Sequence, residues 1–366
     1  MYLEKLSIVN FKNYESAELE LNDGVNCFVG DNASGKTNLL DAVHYLSLCK
    51  SYFNPIDSQN ILHEAPFFVI QGRFMNSDHV ENIHCGIKRN QRKQFKRNNK
   101  LYEKLADHIG LIPIVMISPS DLDLIIDGSE TRRKFLDGII SQFNREYLVN
   151  LVDYNRVISQ RNALLKQFAQ TNSYDKESLE VWDEKLCMLA KKIYQVRKEF
   201  IEDFIPIFQK HYDNLVDGKE AVNLVYQSQL NEGVIEELLK EGLQKDRILQ
   251  RSTVGVHKDD LIFQIQEYSL KKFGSQGQQK SYVIAMKLAQ FEFIKDKTNR
   301  VPLLLLDDIY DRLDNSRVGK LMEMIASNSF GQLFITDTNS NRLSELFESL
   351  KVPVRVYKIQ NGVVNS

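Results

Sequence analysis

The segment Gly30-Asp31-Asn32-Ala33-Ser34-Gly35-Lys36-Thr37 sets two glycines, a lysine and a hydroxyl at the spacing of a phosphate-binding loop. Glycines let the backbone curl so that several N–H groups face one anion, and the dipole of the helix that follows adds positive potential. Lys36 is placed for the outer phosphates of ATP and Thr37 for Mg²⁺, with Asn38 closing the candidate nucleotide set. A second run, Val301-Pro302-Leu303-Leu304-Leu305-Leu306-Asp307-Asp308, reads as a buried strand that delivers two carboxylates. Asp307 would hold the metal directly or through water, and Asp308 would orient or deprotonate the attacking water.

A third element lies about 25 residues before that strand, where Ser275-Gln276-Gly277 opens an apolar helix through Val283, Met286 and Phe291. Ser275 can cap the helix, and Gly277 lets a ligand approach its free N–H groups, which makes a second anion site. Taken alone, such a start is only a cap. The order of the elements gives it meaning: an early phosphate loop, a late Ser-x-Gly-Gln helix start, the acidic strand, then Asp314 is the order of ABC-type ATPases. There the Ser-x-Gly segment of one chain completes the ATP site of another, which implies an ATP-dependent homodimer with an isologous interface.

The elements that must position these residues read as α/β. Leu6 and Ile8 alternate with polar neighbours, and Val25–Val29 is an apolar run that feeds the loop; both read as strands. Leu39, Leu40, Val43 and Leu46 then follow helical spacing. Phe67–Phe74, Val80–Ile87 and Ile112–Ile117 read as strands of a β-rich subdomain over about 67–117. From Thr131 to about Tyr212 the pattern is helical; Leu179, Trp182, Leu186, Leu189, Ile193, Val196 and Phe200 fall on one helix face, and Ala169–Ser178 reads as the turn of an antiparallel helical pair. Gln332–Thr336 and Val354–Ile359 supply late strands. We therefore expect an ABC-type head whose lobe I comprises 1–125 and 270–366. Residues 126–269 form a mainly helical lobe II, with 275–280 at the junction.

Composition is that of a globular chain: 366 residues, 43% hydrophobic and 26% charged. No apolar run approaches the roughly 20 residues that span a bilayer, so no membrane segment or signal peptide is read. Cys27, Cys49, Cys85 and Cys187 are scattered, which suggests neither a zinc site nor a disulfide framework and fits a reducing cytosol. A net charge of −2 excludes a globally basic nucleic-acid binder. One local run does carry charge: Lys88, Arg89, Arg92, Lys93, Lys96, Arg97 and Lys100 stand in a stretch with no acidic residue. It reads either as a salt-sensitive DNA-backbone contact or as a solvated hairpin. Arg132 and Arg133 are further cations that either bind DNA or tie the helical lobe together.

Several motifs together resemble the RecF family along nearly the whole chain. They are Asn10-Phe11-Lys12-Asn13-Tyr14, Gly30–Asn38, Ser118-Pro119-x-Asp121-Leu122, Arg132-Arg133-x-Phe135-Leu136-Asp137, Thr253-x-Gly255-x-His257-Lys258-Asp259-Asp260-Leu261, Ser275-Gln276-Gly277-Gln278-Gln279-Lys280 and Leu306-Asp307-Asp308 followed by Leu313-Asp314. The resemblance implies an ATP-binding DNA replication and repair protein that dimerises on ATP, binds single-stranded or gapped DNA, helps recombinase loading with RecR-like and RecO-like partners, and supports the SOS response. It also implies a slow, DNA-stimulated ATPase that acts as a switch. The chain departs from the family pattern in places. Ala33 stands where glycine is frequent and is expected to be tolerated if its φ is negative. Phe53 replaces a common arginine, Val256 a common proline, and Phe334–Thr338 carries no switch histidine. Two other readings of such a head are an SMC-like structural ATPase, against which the short helical pair argues, and a nuclease of the overcoming-lysogenisation type, for which the roughly fifty residues after Asp314 leave little room.

Overall fold

The computed structural model describes residues 1–76, 79–216, 220–308, 319–320, 330–339, 347 and 353–365; Leu313 and Asp314 lie outside them. In chain order the strands are β1 (Tyr2–Phe11), β2 (Tyr14–Glu20), β3 (Val25–Val29), β4 (Phe67–Asn76), β5 (His79–Lys88), β6 (Gln94–Arg97), β7 (Lys100–Leu101), β8 (Ile114–Ile117), β9 (Val222–Gln227), β10 (Asp260–Ile265), β11 (Tyr268–Ser269), β12 (Leu303–Leu306), β13 (Leu333–Asp337), β14 (Val354–Gln360) and β15 (Val363–Asn365). The helices are α1 (Lys36–Leu48), α2 (Asp123–Ile126), α3 (Ser129–Phe143), α4 (Arg145–Thr171), α5 (Lys176–Val216), α6 (Ile235–Leu249), α7 (Leu270–Phe273) and α8 (Gln276–Thr298). The chain divides into two compact units, one of Met1–Asp121, His211–Gly218 and Lys280–Ser366, the other of Leu122–Lys210 and Lys219–Gln279.

The first unit is built on two sheets. One is antiparallel in the order β2-β1-β4-β5-β6-β7. The other runs β15-β14-β3-β13-β12-β8, parallel apart from β15. The runs VNCFV of β3 and LLLL of β12 are buried at every position, as strands covered on both faces require. Leu39, Ala42, Val43 and Leu46 of α1 share one core with Leu6, Ile8 and Phe11 of β1 and Phe68 and Ile70 of β4, which fixes α1 against the antiparallel sheet. The sequence groups Ile112–Ile117 with the β-rich subdomain; β8 instead pairs with β12, Leu306 opposite Ile117. Its four residues are all buried, so it needs the doubly covered parallel sheet rather than a solvated hairpin.

The second unit carries the helical pair and also a three-stranded antiparallel sheet, β11-β10-β9, absent from the sequence reading although Leu261, Phe263 and Ile265 alternate inward. The turn between α4 and α5 is shorter than the expected Ala169–Ser178. Phe168 and Leu179 enter one cluster with Leu165, which extends both helices, and the Asp175 carboxylate accepts from the Ser178 N–H at 3.1 Å to start α5. Arg197 pins the unit together: it donates to Asp259 Oδ2 (2.6 Å), the Val256 carbonyl (2.7 Å), Asp137 Oδ1 (2.8 Å) and the Tyr147 hydroxyl (2.9 Å). Arg161, also buried, pairs with Asp183 and Asp246, each at 2.6 Å. Neither guanidinium stands without carboxylate partners, as burial of so strong a charge demands.

Among the described residues no helix is long and apolar enough to cross a membrane. All four cysteines are buried and free.

Candidate nucleotide site

The phosphate loop joins β3 to α1 and is braced from two sides. Asn13 Nδ2 donates to the Ser34 carbonyl (3.1 Å) and the Tyr14 hydroxyl to the Gly35 carbonyl (3.0 Å), while the Gly362 N–H donates to Ser34 (3.0 Å). Asn38 Nδ2 closes the brace on Asn13 Oδ1 at 2.7 Å. Asn13 and Tyr14 belong to the first family motif, yet spacing alone gave them no role. Gly35 has φ +116°, and a Cβ there would lie 2.6 Å from Asn13 Nδ2; at Gly30 it would lie 2.2 Å from the Ile359 carbonyl oxygen. Both glycines are therefore obligatory by space, and Gly35 by φ as well.

Ala33 does not meet the condition under which it would be tolerated. Its φ is +63°, so alanine is held in the left-handed region rather than at the negative φ that would make it a harmless replacement.

Lys36 is buried and folds back on the loop, its ammonium donating to the Gly30 (2.8 Å) and Asp31 (2.9 Å) carbonyls. Thr37 Oγ1 donates to Asp307 Oδ1 at 2.9 Å, so the loop hydroxyl and the first carboxylate after β12 do meet. Burial, with Asp308 adding to it, pushes the Asp307 carboxyl up to about 6. Asp308 is half-buried with φ +43°, a conformation that the short side chain of aspartate tolerates better than most. Sequence reasoning missed Thr336. The pairing Leu306–Ile335 between β12 and β13 places its hydroxyl 2.9 Å from Asp307 Oδ1 and 3.4 Å from Asp308 Oδ1, where it also accepts from the Asp308 N–H at 2.9 Å. No local pattern announces that contact, because it arises from register between strands far apart in sequence.

These residues fit a nucleotide with Mg²⁺. Among the described residues the buried Ser34 hydroxyl finds no hydrogen-bond partner, and a carboxylate raised by burial beside a threonine hydroxyl is where a divalent cation relieves cost. Among the described residues no cluster of three or more His, Cys, Asp or Glu side chains is arranged to hold a metal unaided. Thr37 and Asp307 are the residues that would hold Mg²⁺ here, where the ion would neutralise phosphate charge.

In the second unit Ser275 caps α8 as its spacing predicts: its hydroxyl accepts from the Gln278 N–H (3.2 Å) while the Gln278 side chain accepts from the Ser275 N–H (2.7 Å). Ser275 and Gln276 are exposed and Gly277 is partly so.

The basic run is less uniform than its sequence. Lys93 is turned inward onto Asp57 (2.8 Å), the Cys49 carbonyl (2.6 Å) and the Tyr45 ring. Arg97 pairs with Glu81 on β5, and Arg92 donates to the Glu103 carbonyl at 3.1 Å. Lys88, Arg89, Arg92 and Lys100 are exposed, and Lys96 is half-buried. Arg132 grips Asp260 with two bonds, at 2.7 and 3.0 Å, which ties α3 to β10, and Arg133 donates to the carbonyl of the preceding residue, Asp259, at 2.6 Å. Phe53 faces the Lys12 ammonium at 5.2 Å, and that ammonium is paired with Asp41.

A family model described as RecF/RecN/SMC N terminal domain matches residues 2–365. The chain is 50% identical over 361 residues to a DNA replication and repair protein RecF of Flavobacterium johnsoniae, covering 99% of this chain and 100% of the relative. It is 50% identical over 368 residues to the RecF of Phocaeicola vulgatus, covering 100% and 98%. Among solved structures it is similar to the recombination mediator protein RecF of the RecFOR pathway with ATP, at TM-score 0.89 and 28% identity, covering 100% of this chain and 97% of that one. A TM-score of 0.61 at 15% identity relates the fold alone to an Smc head bound to the C-terminal winged-helix domain of ScpA. With a braced loop over Gly30–Thr37 that meets Asp307 and relatives matched end to end, the chain belongs to the RecF family of ATP-binding DNA replication and repair proteins, on the ABC-type fold that it shares with SMC heads.

Proposed function

We propose that the chain is an ATP-gated dimer of recombinational repair. ATP held by Gly30–Asn38 of one copy is closed over by Ser275–Gly277 of the second, and the closed pair binds DNA near single-stranded gaps. The observation that carries this reading is the meeting of Thr37 and Asp307 at 2.9 Å beneath a braced phosphate loop, together with a capped and exposed Ser275. Lys36 exchanges the Gly30 and Asp31 carbonyls for phosphate oxygens, gaining charge-assisted bonds in place of neutral ones. Thr37 and Asp307 hold Mg²⁺, which supplies charge neutralisation on the phosphates when bound. Asp308 orients or deprotonates the water, and slow turnover reopens the dimer. ATP drives closure only through tighter binding to the closed state.

The exposed cations Lys88, Arg89, Arg92 and Lys100 contribute phosphate contacts, with RecR-like and RecO-like proteins as partners in loading recombinase and inducing the SOS response. The relative solved with ATP is described as a recombination mediator in the RecFOR pathway, which supports this assignment.

Sedimentation with and without ATP tests it. The unaltered chain dimerises on ATP; Lys36→Ala weakens ATP binding about 10- to 100-fold, as loss of a charge-assisted bond implies; Ser275→Arg binds ATP yet stays monomeric. Dimerisation of Ser275→Arg at wild-type ATP concentrations overturns the composite site.

A further inference from the structure

Two cations of the second unit sit on one loop that the nucleotide site does not use, and two more flank it from α3 and α6. The loop is residues 251–259. Arg251 starts it, its N–H donating to the Asp246 carbonyl near the end of α6 (3.1 Å), and Lys245 is the neighbour of Asp246 on that helix. Lys258 closes a short turn over Val256–Lys258, and Arg133 reaches from α3 to the carbonyl of the next residue, Asp259, at 2.6 Å.

The loop is rigidly built. Thr253 gives both its N–H (2.8 Å) and its hydroxyl (2.6 Å) to Asp246 Oδ1, and Ser252 does the same to Asn162 Oδ1 (2.7 and 2.8 Å). His257 donates from Nε2 to the Ser252 carbonyl (3.1 Å) and accepts the Tyr154 hydroxyl at Nδ1 (2.8 Å). Gly255, at φ +126°, lies so close to that hydroxyl that a Cβ would be 2.4 Å away.

The nearby carboxylates are already taken: Asp246 by Arg161 and Thr253, Asp259 by Arg197 and Tyr226, and Asp260 by Arg132. Lys245, Arg251 and Lys258 are exposed, and among the described residues none forms an ion pair. Arg161 and Arg197 each face two carboxylates, so the positive field of Lys245, Arg251 and Lys258 is partly offset rather than cancelled. The Lys258 ammonium is lowered by partial burial, then by repulsion from Arg251 and Arg133, with Asp246 opposing and Lys245 adding. The basic run of the first unit differs, since its Lys93 and Arg97 are consumed by Asp57 and Glu81.

We propose that Arg133, Lys245, Arg251 and Lys258 form a second phosphate-binding site, which holds the backbone of duplex DNA. Cations carried on a braced backbone without carboxylate partners are what a polyanion rewards through counterion release. The ring beside the cluster, Tyr154, is buried, so the site offers no stacking platform for unpaired bases and reads backbone alone. The proposal rests on the DNA-binding reading above and assigns part of that binding to the second unit.

The test measures binding of a 30-base-pair duplex to the full chain with ATP at several salt concentrations. It compares the unaltered chain, the pair Arg251→Gln/Lys258→Gln, and the charge-keeping pair Arg251→Lys/Lys258→Arg. Loss of two phosphate contacts should weaken binding about 10-fold and reduce the salt slope by about 2, at roughly 0.9 per phosphate, with the charge-keeping pair restoring the slope. Unchanged affinity and slope in the glutamine pair, while the unaltered chain binds, overturn this site and leave the broader reading standing. A fall in ATP affinity with duplex affinity intact assigns the cluster to nucleotide phosphate and overturns it too. An unaltered chain that binds no duplex overturns the DNA reading itself.

Discussion

The Thr336 hydroxyl lies 2.9 Å from the Asp307 carboxylate, and the same hydroxyl oxygen accepts from the Asp308 N–H. One side chain on β13 thus orients both acidic residues that follow β12. Thr336→Val keeps the shape and removes the donor and acceptor. ATP turnover should fall about 10- to 100-fold, the size of a lost bond to a charged group, while ATP affinity changes little. Single-turnover rates beside equilibrium binding separate the two, and a wild-type rate in the valine variant rules out the orienting role.

Ala33 carries a strain that glycine would not. At φ +63° an alanine costs about 1 kcal/mol or more relative to glycine, which exceeds the backbone entropy that glycine loses on folding. Ala33→Gly should raise unfolding stability by roughly 0.5–1 kcal/mol and leave nucleotide affinity equal or tighter. Lower stability by urea unfolding would mean that the loop does not hold this conformation.

The phosphate loop and the carboxylate pair were legible in sequence because their chemistry is local: Gly30, Gly35, Lys36 and Thr37 belong to one turn and helix start, and Asp307 ends a run of four leucines. Ser275 and Gln278 show the same locality, a cap spelled by residues three apart. What spacing does not carry is register and environment. Thr336 meets Asp307 only through the β12–β13 pairing, and β8 joins the parallel sheet because its neighbours cover both faces. The φ of Ala33 depends on how Asn13, Tyr14 and Gly362 brace the loop around it. The basic run is only partly legible for a related reason: a row of cations in sequence says nothing of Asp57 and Glu81, which pair with two of them, Lys93 and Arg97.

A buried pair links α8 to the end of the first segment of its unit. Lys287 and Asp121, each 4% exposed, are 2.7 Å apart, with the Tyr52 hydroxyl bonded to both and the Ser118 N–H donating to Asp121. Removing one partner leaves the other charge unpaired in the interior, so Lys287→Met should cost about 3–5 kcal/mol. The double variant Lys287→Met/Asp121→Asn should recover more than half of that loss. Additive losses in denaturant unfolding would show that the two side chains do not interact.

Acid should unfold the protein earlier than its carboxylates alone would predict. Burial holds His44, His108 and His257 down to about 4 from an ordinary 6.5, each neutral ring donating to a carbonyl, of Lys50, Leu46 and Ser252 respectively. A base depressed in the fold contributes stability that is complete above 6.5 and is lost as pH falls from there through 4. At pH 5.5 each ring has given up about 1.4 kcal/mol. Asp307 has the opposite sign: raised to about 6 from 3.8, it takes up a proton in the fold before the unfolded chain does and returns about 0.8 kcal/mol at that pH. From these four groups the net loss between pH 7.5 and 5.5 is about 3 kcal/mol, to be measured by urea unfolding at the two values. His257→Gln should reduce the pH dependence by about one third of the histidine share, because glutamine keeps a donor for the Ser252 carbonyl without a proton to gain. Equal stability at both pH values would place these rings in contact with water rather than in the interior.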